Sequence, residues 1–366
     1  MNILICPDSF KGTMTASVAS EAIKRGVLKT YSEASVTLLP LADGGEGTMS
    51  VLVNALGGEV RKAEVPGPLF EKRVGEYGLI GDYAVIESAS ACALPFVPPE
   101  KRNPLFTSTD GVGRLAREAL LSGKRHIILT IGGIATNDCG IGFLSALGVK
   151  FYDGEGREVP PTGQGLGLIE RIDDRGIMRE ALETKWTVLC DVDNYLCGEE
   201  GAAYVFGPQK GAGPETVKLL DGYARKFACI VKDKKGFDML TLKHGGAAGG
   251  LGAGICAFFD TEIVSGTEYI LKLLDFEKLA EKADLIITGE GRTDSQTLDG
   301  KLISGIIKHS KGTPVAVVSG SVTPEGYALK NKGAFWVASA SEGLPQDYAL
   351  SHAEELLEKA SEKIRL

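Results

Sequence analysis

The sequence lacks the marks of several protein classes. Its four histidines are scattered without ligand spacing, and no Cys-x-x-Cys pair occurs among its seven cysteines, so a zinc site is not expected. No GxGxxG follows the first apolar run, where Pro7 and Asp8 stand instead, and the GxxxxGK[ST] phosphate loop is absent. No stretch reaches the roughly 18 apolar residues of a membrane span. Asp8 and Lys11 interrupt the N-terminal apolar run almost at once, so an export signal is not expected either. A net charge of −8 argues against nucleic-acid binding, which needs a basic face. Four of the seven cysteines, an odd number, lie within or beside apolar runs; they read as reduced thiols of a cytoplasmic protein.

What is present is glycine, 48 residues of it, much of it clustered in loops such as HGGAAGGLGAG. Such loops suit close approach of backbone to a ligand. The 366 residues are enough for two domains, each with its own core. The stretch ADLIITGEGRTDSQTLDGK, residues 283–301, is the organising centre. Leu285, Ile286 and Ile287 form a short apolar run, as expected of a central parallel strand covered on both faces. Glu290, Arg292, Asp294 and Lys301 follow at once, and ligands of open α/β sheets bind at the carboxyl ends of strands.

Other strands end the same way. Asn2–Cys6 leads into PDSFKGTMTA with Asp8, Ser9 and Lys11, and Thr13 or Thr15 is placed to cap a helix over 16–29. A strand over 36–39 leads into LADGGEGT with Asp43, and strands over 315–318 and 335–338 lead into Ser- and Gly-rich loops. A last helix is expected over 346–363. The fold class this predicts is α/β: a doubly wound, mainly parallel, Rossmann-like or flavodoxin-like domain of residues 1–66 and 283–366, with a second α/β domain of residues 67–282 inserted. The active site is expected in the cleft between the two. Within the second domain, a strand over 126–131 runs into GGIATNDCGIG, where Gly132, Gly133, Thr136 and Asn137 precede a helix, an arrangement that favours anions. A strand over 186–189 ends in CDVDN; Asp191 and Asp193 alternate along it, so both carboxylates could face one Mg²⁺. Lys210 stands in a loop too short-chained to hide it.

Seven of these loops, in order, are PDSFKG (7–12), LADGGEGT (41–48), GGIATND (132–138), CDVDN (190–194), FGPQKGA (206–212), GAAGGLG (246–252) and TGEGRTDSQT with GK (288–301). Together they resemble the bacterial glycerate kinase family across nearly the whole chain. Cys139, Tyr195 and Ile303 depart from its usual Gly, Pro and Pro. The resemblance implies transfer of the γ-phosphoryl group of ATP to a hydroxyl of D-glycerate with Mg²⁺, 2-phosphoglycerate being favoured over 3-phosphoglycerate, in a monomer or homodimer.

Phosphoryl transfer needs alignment and charge neutralisation more than covalent help. Arg292 is the candidate clamp for the glycerate carboxylate, with Ser9, Glu290 and Asp294 beside the substrate; an ion pair with Glu290 or Asp294 is its alternative role. Lys11, Lys210 and Lys301 are candidates for the phosphates, and Gly249 and Gly250 join Gly132 and Gly133 as candidate nucleotide contacts, with loop packing as the rival explanation. Asp191 and Asp193 suit Mg²⁺ or activation of the hydroxyl, or else cap a turn. Asp8 and Asp43 could serve as the base. Two other classes compete: a nucleotide-dependent oxidoreductase and a non-catalytic, two-domain small-anion-binding protein.

Overall fold

A computed structural model describes residues 1–298 and 302–366. The chain divides into two compact units: Met1–Asp43 with Gly266–Leu366, and Gly44–Ser265. The first is built on a five-stranded parallel sheet in the order Ala334–Ser339, Val315–Ser319, Leu285–Thr288, Asn2–Ile5, Ser35–Leu38. Numbered along the chain within this unit, that is the order 5-4-3-1-2, the flavodoxin-like arrangement. Leu285, Ile286 and Ile287 are fully buried, as an apolar run covered on both faces requires. Helix Ala16–Thr30, capped by Thr15 through the Val18 N–H, packs on helix Ala353–Ser361. Gly26 permits that approach, because a Cβ there would lie 2.1 Å from the carbonyl of Glu358.

The larger unit has a six-stranded mixed sheet in the order Thr261–Val264, Lys185–Leu189, His126–Thr130, Tyr83–Glu87, Lys72–Ile80, Glu59–Pro66. Its first four strands are parallel, and the last two run back and forth as antiparallel partners. An apolar core that includes Trp186, Phe143, Phe151 and Phe227 fills it. Among the described residues no helix is long and apolar enough to cross a membrane.

The borders of these units differ from those read in the sequence, 66/67 and 282/283. Glu59–Pro66 pairs along its whole length with Lys72–Ile80, which ties it to the larger unit. Helix Gly266–Leu273 packs on helix Leu302–Lys308, so closely that a Cβ on Gly305 would lie 2.4 Å from Thr267 Cγ2. His309 adds a bridge, its two ring nitrogens 2.8 and 2.7 Å from Glu268 and Glu277. The expected helix over 346–363 is a correction: it is two helices, Gln346–Ser351 and Ala353–Ser361, broken at His352. The Ser351 hydroxyl bonds back to the carbonyls of Asp347 and Tyr348, competing with the helical ladder.

Candidate active site

The carboxyl ends of the parallel strands in the smaller unit converge on one cavity of about 640 Å³. Its charged lining is Asp8, Lys11, Asp43, Glu290, Arg292 and Asp294, with Ser9, Gly320 and Ser321. Backbone pairing continues past the strand ends and fixes these loops. Asp8 N–H donates to the Gly289 carbonyl at 2.9 Å, Leu41 N–H to Pro7 at 3.0 Å, and Gly320 N–H to Glu290 at 3.0 Å. Gly289 has no room for a side chain: a Cβ would lie 1.8 Å from the carbonyl of Val318. The glycine before Glu290 is therefore a condition for the turn that presents it.

Asp8 is 6% exposed, and its Oδ1 accepts the Ser9 N–H at 2.6 Å. Burial, then the charge of Asp43, push its carboxyl up to about 7, against the Ser9 N–H and Lys11, which favour the ionised form. Glu290 is anchored to its own loop: Oε1 accepts from Thr297 Oγ1 at 2.6 Å and from Thr293 Oγ1 at 3.2 Å. Thr293 Oγ1 also lies 2.7 Å from Ser319 Oγ. Arg292 is exposed along 70% of its side chain, and its Nε lies 3.7 Å from Asp294 Oδ2, a loose pair. Asp294 Oδ1 instead accepts the Gln296 N–H at 2.9 Å. Lys11 is exposed and, among the described residues, pairs with no carboxylate. Lys301 lies outside the described residues.

In the larger unit the candidates divide. Gly132 and Gly133 are exposed and have open space where a Cβ would be. Gly249 and Gly250 are buried with φ of +65° and +88°; a Cβ on Gly249 would meet the Thr136 carbonyl at 2.3 Å, and one on Gly250 would meet Cys139 Sγ at 3.0 Å. These two glycines let their loop pack on residues 136–139, joined by Cys139 N–H to the Gly249 carbonyl. Cys139 itself is buried at φ +50°, a backbone conformation that favours glycine. Thr136 and Asn137 are buried, and Asp138 beneath them accepts from the Thr109 N–H, the Thr109 hydroxyl and the Gly140 and Gly142 N–H groups.

Lys210 corrects an expectation. Its loop does hide it: it is 4% exposed, and Nζ donates to the Thr136 carbonyl at 2.6 Å. Burial lowers its ammonium to about 8. The 3-10 turn Pro208–Lys210 folds the side chain inward, which flanking glycines do not reveal. Asp191 and Asp193 engage different neighbours. Asp191 Oδ1 accepts from the Ser265 hydroxyl at 3.0 Å, whereas Asp193 lies 3.2 Å from both Lys243 and His244. Among the described residues no group of three or more His, Cys, Asp or Glu side chains could hold a metal ion.

Sequence reasoning assigned no role to Ser319, Gly320 or Ser321, although the apolar run before them marks the end of another parallel strand. It also passed over Glu87, a buried carboxylate at the end of Tyr83–Glu87 that accepts the Met49 N–H at 2.8 Å and is raised by burial.

Asp8 has a thermodynamic consequence. Raised from 3.8 to about 7, it keeps a proton in the folded chain that the unfolded chain has already lost, so stability falls as pH rises through that window. Asp8→Asn removes this penalty. Thermal unfolding should show a Tm several degrees above the parent at pH 8, with the gain vanishing near pH 4.

The sequence profile of the glycerate kinase family matches residues 3–366. A glycerate kinase of Halalkalibacterium halodurans is 43% identical over 99% of this chain and 97% of its own. The glycerate 2-kinase of Escherichia coli K12 is 40% identical over 89% of this chain and 86% of its own. A crystal structure from Salmonella typhimurium LT2, assigned as a glycerate kinase 2, is 40% identical, with a TM-score of 0.89 and coverage of 99% of this chain and 96% of that one. The chain belongs to the glycerate kinase family.

Proposed function

We propose that this protein transfers the γ-phosphoryl group of ATP to D-glycerate, and that the cavity holding Asp8, Asp43, Lys11 and Arg292 is where the acceptor binds. One observation carries the reading: a buried carboxyl raised to about 7 stands at the mouth of a parallel strand, next to two cations without tight partners. A base matched to neutral pH suits removal of a hydroxyl proton as the P–O bond forms. In the proposed step the glycerate hydroxyl oxygen attacks the γ-phosphorus, its proton passes to Asp8, and the bond to the β-phosphate oxygen breaks to release ADP. Burial, then the charge of Asp43, keep Asp8 basic enough for this. Lys11 neutralises phosphate, and Arg292 grips the glycerate carboxylate with two hydrogen bonds. Ser9 and Asp294 shape the acceptor pocket, and Glu290, held by two threonines, fixes the loop that carries Arg292. In the larger unit the exposed pair Gly132–Gly133 is the candidate phosphate contact.

Magnesium takes oxygen ligands, and one carboxylate beside nucleotide phosphates and water is a common set. Asp191 and Asp193, both exposed, are the candidate ligands: Asp191 accepts from the Ser265 hydroxyl, and Asp193 lies beside Lys243 and His244. When bound, the ion would screen the phosphate charge. The cytoplasm, where ATP is abundant, is the proposed setting, supported by seven unpaired cysteines. The 2-hydroxyl is the proposed acceptor, supported by the name of the Escherichia coli relative.

Incubation with ATP, Mg²⁺ and D-glycerate should yield ADP and a phosphomonoester. In the proton-coupled ³¹P spectrum a 2-phosphate couples to one proton and gives a doublet, whereas a 3-phosphate gives a triplet. No ADP would refute the activity, and a triplet would refute the regiochemistry. Arg292→Lys keeps the charge but loses the planar fork. It should lower kcat/KM for glycerate by roughly 10- to 150-fold while the KM for ATP barely moves. Weakened ATP with unchanged glycerate would place Arg292 on the phosphate side.

A further inference from the structure

The cavity of the smaller unit is larger than its proposed acceptor, and two chemically different parts of the chain line it. Its 640 Å³ falls in the range of about 300–1,000 Å³ that holds a drug-sized ligand. Glycerate, with three carbons and four oxygens, fills only a small part of that. The charged residues come from the loops after the strands. The part of the lining that follows the last strand carries no charge: Leu344, Ala349, Leu350, Ala353 and Leu356 form an apolar wall, from the segment where one helix ends at Ser351 and the next begins at Ala353. Leu344 and Leu350 are 40% and 51% exposed, so the wall presents apolar surface that a ligand could cover. The polar amide of Gln346 lines the same wall.

We propose that this wall is the subsite for the adenine base of ATP, so that base and acceptor line up in one cavity of the smaller unit. The inference rests on the kinase reading. A purine has apolar faces and a polar edge, and the wall offers aliphatic side chains beside one amide that can both donate and accept. Lys11, which neutralises phosphate in the proposed step, lines the same cavity from the loop after the first strand. Base recognition is thereby assigned to Leu344, Leu350, Leu356 and Gln346 and not to the glycine loops of the larger unit.

Calorimetric titrations with ADP and with tripolyphosphate test this, using the full chain and its Leu350→Glu variant, with turnover of ATP and glycerate measured on the parent. Leu350 is half exposed, so the variant should keep the parent Tm. A charge on the base side should weaken ADP by at least about tenfold and leave tripolyphosphate within about twofold. Gln346→Ala, a milder change, should weaken ADP more than an inosine diphosphate titration, whose edge is already altered. Unchanged ADP affinity in both variants, while the parent turns over ATP, overturns the subsite and leaves the kinase reading standing. Equal loss of ADP and tripolyphosphate also overturns it. A parent that neither binds ADP nor turns over ATP overturns the kinase reading and the subsite together.

Discussion

The register of two parallel strand pairs governs this site. Ile3 lies opposite both Leu285 and Val36, so the loops after Ile5, Thr288 and Leu38 leave the sheet at the same edge. In the 2-1-3-4-5 order the first and third strands are neighbours whose connections depart to opposite sides, and a crevice opens there. Asp8 follows one of these strands and Glu290 the other, with the Asp8 N–H bonded to the Gly289 carbonyl between them. A one-residue slip would turn every side chain to the other face, so the register specifies the core and the site together.

The charges so gathered are not in balance. Four carboxylates and two cations line the cavity, and the most buried carboxylate sits beside another. Such an arrangement costs stability and is retained where a perturbed group has work to do. Rigidity is also unevenly shared. Glu290 is tied down by Thr293 and Thr297, while Arg292 and Lys11 keep long, exposed side chains able to close on an anion. A tethered Glu290 and exposed cations suit a site whose ligands arrive charged.

Much of this was legible in the chain. The apolar runs ending at Thr288 and Ile5 announce buried parallel strands, and the charged residues after them announce the site, because in this architecture position at a strand end is itself a functional signal. Other features depend on partners distant in sequence. The border near residue 266 is set by helix packing on 302–308, and amphipathic helices of either unit look alike. Lys210 is buried by a turn that its glycine neighbours hide, and Gly249 and Gly250 serve close packing on residues 136–139, which composition cannot separate from phosphate contact. The apolar wall around Leu350 was read as one continuous helix, since the break at His352 arises from side-chain bonds that periodicity does not register.

The central claim is that Asp8 acts as a base because its surroundings raise it to neutrality. The direct measure is kcat/KM for glycerate against pH at saturating MgATP, where titration of the nucleotide drops out. The account predicts a decline of about tenfold per pH unit below about pH 7, reflecting protonation of one group in the free acceptor site. A profile that stays flat from about pH 8 down to about pH 5 would show that the group lost to protonation is an ordinary carboxylate and that Asp8 is not the base.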